Sequence, residues 1–444
     1  MELDDHLFRR EAGRIVATLT RVFGMHNLAL AQDVVQDAFC RAIEVWRVRG
    51  VPENPSAWLM ATAKNGALDV LRRERTARTF APEISRLLKS EWTIAPIVEE
   101  LFAANAIKDD LLRMMFSCCH PRLAEEGQVA LILNVLCGFS VDEIGAAFVS
   151  SHAAIEKRLT RAKKVLATSK KLFDLAAPAD FAKRLRAVHR ALYLLFNEGY
   201  HGASPASAVR AGLCHEAMRL SAILLTHPLG AVPVTYALSA LMCFNAARLP
   251  ARVDAAGNLI SLLDQDRSLW DKTLVTEGLK LLELSAAGPD LSGYHLEAAI
   301  ASIHATASRV EDTDWGTIIS LYDKLIRIEP SPIVGLNRAI AIAQRDGPER
   351  GLAEIDSLAD RDRLATYPFY PAALGELEFG CGRTEVARGY FEAAVALARC
   401  PMERRFLEQR ITVCASADPR QVAYYEEIWD RALTPFKDYV EGEV

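Results

Sequence analysis

Apolar and polar positions alternate with a helical period along almost the whole chain. From Ala31 to Trp46 the apolar positions are Ala31, Val34, Val35, Ala38, Phe39, Ala42, Ile43 and Trp46. Steps of three and one trace one face of an α-helix. The opposite face carries Asp33, Gln36, Asp37, Arg41 and Glu44, which suits plain solvation as well as a partner. A second helix is predicted after "ENPS", where Pro55 fits a first-turn position. Trp58, Leu59, Ala63, Ala67, Val70 and Leu71 form its apolar stripe, and Lys64, Asn65, Arg72 and Arg73 point elsewhere. "LRRERTAR" closes it with positive charge, which a helix C-terminus favours for dipole reasons alone. Pro82 and Pro96 interrupt the periodicity of residues 77–105, read as a linker with at most one helix, and "AIKDDLLRMMFSCCHPRL" is helical until Pro121.

The stretch "EEGQVALILNVLCGFSVDEIGAAFVSSHAAIEKRLTRAKKVL" reads as helix, turn, helix, turn, helix. Gly138 ends the first of these. Ser140 and Glu143 are spaced for a capping box, with Phe139 and Ile144 as its hydrophobic staple. Ser150 or Ser151 can cap the last helix, where Ile155, Leu159, Ala162 and Leu166 face inward. Lys157, Arg158, Thr160, Arg161 and Lys164 then lie outside or at the edge. A short capped helix, a tight turn and a longer basic helix predict a helix-turn-helix, with a basic surface helix as the plainer reading.

Charge sharpens this pattern. The chain of 444 residues has a formal net charge of -5, yet residues 150–171 carry seven basic side chains and one acid. Residues 1–173 balance at +3 and the remainder at -8, so the two halves are expected to meet different partners. The length implies two to four domains, and 51% hydrophobic with 25% charged residues suits a soluble globular protein, here all-α. The opening "MELDDHLFRREAGR" has no apolar core segment, and no apolar run reaches the ~18 residues of a membrane span. A cytoplasmic protein without a membrane partner is therefore expected.

Candidate chemistry is sparse. None of the nine cysteines forms a CxxC pair. Cys118, Cys119 and His120 are consecutive, but adjacent cysteines bind one ion together with difficulty and no second ligand cluster follows. Buried, reduced thiols are expected, with no metal and no cofactor. "NEGYHG" (197–202) is read as a structural junction, with Gly199 at a helix C-terminus and Asn197 satisfying backbone groups there. "CHEAMRL" lacks the second His of a zinc-protease motif. No catalytic residues are expected.

Three motifs in order carry a resemblance. "DVVQDAF" (33–39), "WLMATAKNGALDVLRR" (58–73) and "EIGAAFVSSHAAIEKRLTRAKKVL" (143–166) resemble regions 2 and 4 of the sigma-70 family of bacterial RNA polymerase subunits, specifically the extracytoplasmic-function group. The resemblance implies sigma region 2 over 1–80, a linker over 81–105 and a region 4 helix-turn-helix over 106–174. It implies that Asp33, Gln36, Asp37 and Arg41 dock on the clamp helices of the largest subunit of core RNA polymerase. It also implies that Ala61, Lys64, Asn65, Arg72 and Arg73, with the loop "RGVPEN" (49–54), receive the -10 promoter element. His152, Ala153, Glu156, Lys157, Arg158 and Arg161 would meet the -35 element as duplex DNA. Val149 departs from the Gly common in such turns, and Glu156 from a common basic residue. Glu156 can accept from a cytosine amino group or form a surface salt bridge.

The rest, 175–444, is read as a helical extension. Tyr322 and Tyr390 lie 68 residues apart, twice the tetratricopeptide period, and repeats are expected in about 315–401. Such stacks commonly bind protein segments in a groove. "HRALYLLFNEGYHGAS" and "DQDRSLWDKTLVTEGLKLLE" look like the sigma subgroup with a long tetratricopeptide-like extension, whose genes often neighbour small DGPF-type (YCII-related) proteins, carried here as a candidate partner. Three function classes follow: an alternative sigma factor regulated through its extension, a stand-alone helix-turn-helix regulator with a repeat sensor, and an interaction scaffold. Region 2 motifs argue against the second.

Overall fold

Caps and glycines punctuate the helices where local chemistry requires them. A computed structural model describes residues 5–77, 110–148, 150–168, 178–200, 209–255, 257–365 and 367–416. Every regular element among them is helical, and the one β-type pairing recorded is an isolated antiparallel bridge between Val253 and Leu259. The expected linker lies mostly outside the described residues, as do Val149 and His201. The chain divides into two compact units, Met1–Phe196 with His215–Val232, and Asn197–Cys214 with Pro233–Val444.

In the first unit, α1 (Asp5–Phe23) leads through a 3-10 turn (Met25–Asn27) into α2 (Leu28–Arg49) and α3 (Pro55–Ala77). α2 buries Ala31, Val34, Val35, Ala38, Ala42 and Trp46. The stripe is narrower than its apolar pattern: Phe39 is half-buried and Ile43 is 51% exposed. Each sits one residue past a buried alanine, about 100° further round the axis and beyond the face that α1 and α3 cover. Asn54 Oδ1 accepts the Ala57 N–H at 3.0 Å, so Asn54 caps α3 and Pro55 opens it. Trp46 meets Trp58 edge to face, ring centroids 5.4 Å apart, which ties α2 to α3.

The same unit continues through α4 (Asp110–Cys118), α5 (Glu125–Val135), α6 (Val141–Phe148) and α7 (His152–Ala167). Gly138, at φ +68°, turns the chain after α5. The capping box forms in both directions: Glu143 N–H donates to Ser140 Oγ at 3.1 Å, and Ser140 N–H to Glu143 Oε2 at 2.8 Å. Of the two candidate serines, Ser151 caps α7, accepting the Ala154 N–H. α1 packs on α4 and reaches the end of α5 so closely that a Cβ on Gly13 would stand 1.9 Å from the Leu136 carbonyl oxygen. Asp110 bridges the seam, accepting from Thr18 Oγ1 at 3.3 Å and pairing with Arg21 at 3.3 Å.

α8 (Pro178–Tyr200) and α9 (Ala211–Leu225) span the division between units. Phe181, at the start of α8, stacks on Phe116 of α4 with centroids 4.6 Å apart and on His227 at 5.0 Å. Gly199 falls in the last turn of α8, at the helix C-terminus where its sequence context places it. A Cβ there would stand 2.8 Å from the Cys214 nitrogen and sulfur. Close approach of α9, not backbone conformation, requires glycine.

The second unit stacks α10 (Pro233–Ala247), α11 (Lys272–Ser285), α12 (Gly293–Thr306), α13 (Trp315–Ile328), α14 (Pro332–Asp346), α15 (Pro348–Asp356), α16 (Phe369–Gly380), α17 (Thr384–Leu397) and α18 (Pro401–Ser416). Successive helices from α12 onward pack on their neighbours. Gly347 (φ +97°) and Gly382 (φ +75°) make the turns of two helix pairs, α14–α15 and α16–α17. Arg338 ties three helices together through Asp323 at 2.6 Å and Glu354 at 2.8 Å. "QDRSLWD" is structural: Arg267 is buried and donates to the His304 and Ala307 carbonyls at 3.0 and 2.8 Å, holding the end of α12.

Candidate nucleic-acid interface

The amphipathic pattern of α7 decides which of its side chains can reach a partner. Ile155, Leu159, Ala162 and Leu166 are buried, so His152, Ala153, Glu156, Lys157 and Arg161 are left exposed and Arg158 half-exposed. Every residue expected at the -35 element is thus accessible on one helix. His152 Nδ1 lies 2.6 Å from Asp142 Oδ1 on α6. The hydrogen bond to Asp142 raises the His152 pKa above its ordinary value. The Arg158 guanidinium stands 5.6 Å from the Phe148 ring centroid, a cation–π contact between α7 and the end of α6.

The polar face of α2 is equally open. Asp33, Gln36, Asp37, Arg41 and Glu44 are all exposed. Asp33 differs from the other three expected polymerase contacts, because Lys163 of α7 lies within its electrostatic reach. Burial pushes the Lys163 ammonium down from its ordinary value, and the Asp33 carboxylate opposes that shift. α7 packs on α2 and on the 3-10 turn before it. Lys163 was not singled out from sequence; its position in a row of surface cations hides that it is half-buried.

On α3, Ala61, Asn65 and Arg72 are exposed and Lys64 is half-buried. Arg72 pairs with Asp69 at 3.6 Å. The Arg73 side chain lies outside the described residues. Ala61 and Asn65 are four apart, one turn on a single face. The loop before α3 turns at Gly50, φ +81°, with Val51 in the loop and Val48 at the end of α2 both exposed.

The expected burial of the thiols holds for Cys118, Cys119 and Cys137 of the first unit but not for Cys40, which is exposed on α2. Cys118 and Cys119 are buried, and burial pushes Cys119 up to about 12, so both stay protonated near neutral pH. Cys119 Sγ donates to the Met115 carbonyl at 3.3 Å. Among the described residues, no helix is long and apolar enough to cross a membrane.

The Sigma-70 region 2 family matches residues 7–77, and a family of unknown function (DUF6596) matches residues 184–286. A protein of Rhizobium meliloti described as uncharacterized is 39% identical over 414 residues, covering 93% of this chain and 96% of that protein. The RNA polymerase sigma factor CarQ of Myxococcus xanthus is 32% identical over 160 residues, covering 35% of this chain and 83% of CarQ. No solved structure matches. The region 2 match contains α2 and α3 with their exposed polar faces, and the likeness to CarQ accounts for most of that protein's length, so the chain belongs to the sigma-70 family of RNA polymerase sigma factors.

Proposed function

We propose that this sigma factor belongs to the extracytoplasmic-function group and uses its two basic and polar surfaces for separate promoter elements. As a sigma factor it acts in transcription initiation with core RNA polymerase and promoter DNA; the family is not enzymatic, and the chemistry stays with the polymerase. In this reading Gln36, Asp37 and Arg41 dock on the clamp helices, with Asp33 at the edge of that surface. Ala61, Lys64, Asn65, Arg72 and Arg73 receive the opened -10 strand, where a protein surface must offset unstacking of a few kcal/mol per base. His152, Ala153, Glu156, Lys157, Arg158 and Arg161 meet the -35 duplex, bases near the helix start and phosphates further along.

One observation carries the reading: the polar face of α2 within the region 2 match is fully exposed while its apolar face is buried against α1 and α3. Purification with and without core polymerase tests it. Co-elution with core, followed by promoter-dependent transcription, is expected; DNA binding without core affinity would favour a stand-alone helix-turn-helix regulator.

The helices of 175–444 act, in the same proposal, as a regulatory extension with tetratricopeptide-like repeats in about 315–401. Support comes from the paired helices α14–α15 and α16–α17 with equivalent glycine turns 35 residues apart. A DGPF-type (YCII-related) protein is the candidate occupant of their groove, and pull-down with the separate extension would test it.

A further inference from the structure

The loop between α4 and α5 runs beside the flank of α7 and leaves a cleft of about 630 Å³. One wall is α7, from Ala154 through Lys157, Arg158 and Arg161 to Val165; the other is the loop and the first turn of α5, with Arg122 and Glu126. Ala154 to Val165 spans about 16 Å of helix, long enough for a nucleic-acid strand to present more than one phosphate.

The charges around this cleft are uncompensated. Among the described residues, Arg122, Lys157, Arg158 and Arg161 have no recorded ion pair. In the second unit, by contrast, Arg338, Arg345, Arg350, Arg361 and Arg388 each hold a carboxylate within 2.8 Å. The acid nearest to Arg122 in sequence, Glu125, is taken by Arg186 at 3.2 Å. Glu126 is the single acid in the lining. Four cations held against one carboxylate at an open cleft attract a polyanion.

The loop that carries Arg122 is built, not slack. Leu123 is buried, the Arg122 N–H donates to His120 Nδ1 at 3.2 Å, and Gln128 Nε2 donates to the His120 and Leu123 carbonyls at 3.1 and 2.9 Å. A helix lying in a major groove has a sugar-phosphate strand along its flank. A fixed loop across a gap from that flank would straddle the strand.

We infer that this cleft is a binding site for the DNA backbone, and that Arg122 is a phosphate contact acting with Lys157, Arg158 and Arg161. The inference rests on the reading of α7 as a duplex-binding helix and adds a residue that no spacing in the sequence connects to it.

The test is the salt dependence of binding of the full chain to two short duplexes of unrelated sequence, read by fluorescence anisotropy between about 50 and about 200 mM salt. Arg122→Ala should weaken binding equally on both duplexes and reduce the slope of log K against log salt by about 0.9, the value for one phosphate. Arg122→Lys should restore most of the slope. An unchanged slope in Arg122→Ala, while Lys157→Ala with Arg161→Ala lowers it, overturns the inference alone. A parent chain without salt-dependent duplex binding overturns the reading of α7 and the inference with it. Inorganic phosphate raising the melting temperature of the parent but not of Arg122→Ala, with no change in duplex slope, would assign the cleft to a small anion instead.

Discussion

His152 and Asp142 join the start of α7 to α6 through a 2.6 Å contact between Nδ1 and Oδ1 on the exposed side of both helices. Asp142 raises the His152 pKa by its hydrogen bond and its charge. A raised folded pKa means that the pair's contribution is fully present below the unfolded value of about 6.5 and is lost as pH rises through the folded value. Asp142→Asn should bring the His152 titration back towards about 6.5. Ring NMR signals of His152 against pH measure this; identical titrations in parent and variant would show that the contact does not persist in solution.

Asp37→Arg combined with Gln36→Ala should abolish co-purification with core polymerase. Both residues are exposed, opposite the buried stripe of α2, so circular dichroism should be unchanged. Retained polymerase binding would remove this face from the polymerase interface.

Lys157 and Arg161 lie one turn apart on the exposed side of α7. Replacing both with Ala should lower the salt slope of duplex binding by about 1.8 if each holds one phosphate. Because phosphate contacts carry no sequence information, transcription from a promoter with an altered -35 element should fall by the same factor as from the intact one. A smaller loss on the altered promoter would show that the two residues also read bases.

Gly13→Ala is expected to destabilise the first unit by about 1–3 kcal/mol, the usual cost of forced overpacking. The added methyl would collide with the Leu136 carbonyl, a backbone atom that cannot rotate aside. Thermal or urea unfolding of the variant decides this, and an unaltered midpoint would mean that α1 and the end of α5 are further apart in solution.

Truncation after Asp180 removes the ring that stacks on Phe116 and the Arg184 guanidinium that donates to the Phe116 carbonyl at 3.3 Å. The boundary read from sequence, at 174/175, falls just before this contact, and the packing of Phe181 argues for a brace across it. Loss of a buried Phe costs about 3–5 kcal/mol. A chain ending at Asp180 should therefore melt well below one ending at Val232, which keeps α8 and α9. Equal melting temperatures would show that α8 does not support α4.

Helix identity, caps and the exposed or buried sense of most positions were legible from sequence, because they depend on residues within a turn or two. Ser140 with Glu143, Pro55 at the first turn of α3, and the inward row Ile155, Leu159, Ala162, Leu166 are settled by local backbone and capping chemistry and by a period of 3.6 residues. The motifs of α2, α3 and α7 were legible for the same reason. Relations between distant segments were not. Lys163 beside Asp33, Arg122 across a cleft from Arg158, Gly13 against Leu136 and Phe181 on Phe116 join residues tens of positions apart or more. Gly199 shows the difference at one residue. Its place at a helix end was legible, since α8 closes at Tyr200, but the approach of Cys214, which excludes a side chain there, was not. Local chemistry determined which helices form and which faces are apolar; tertiary packing decided which cations stay free of carboxylates, because pairing depends on which helix arrives alongside.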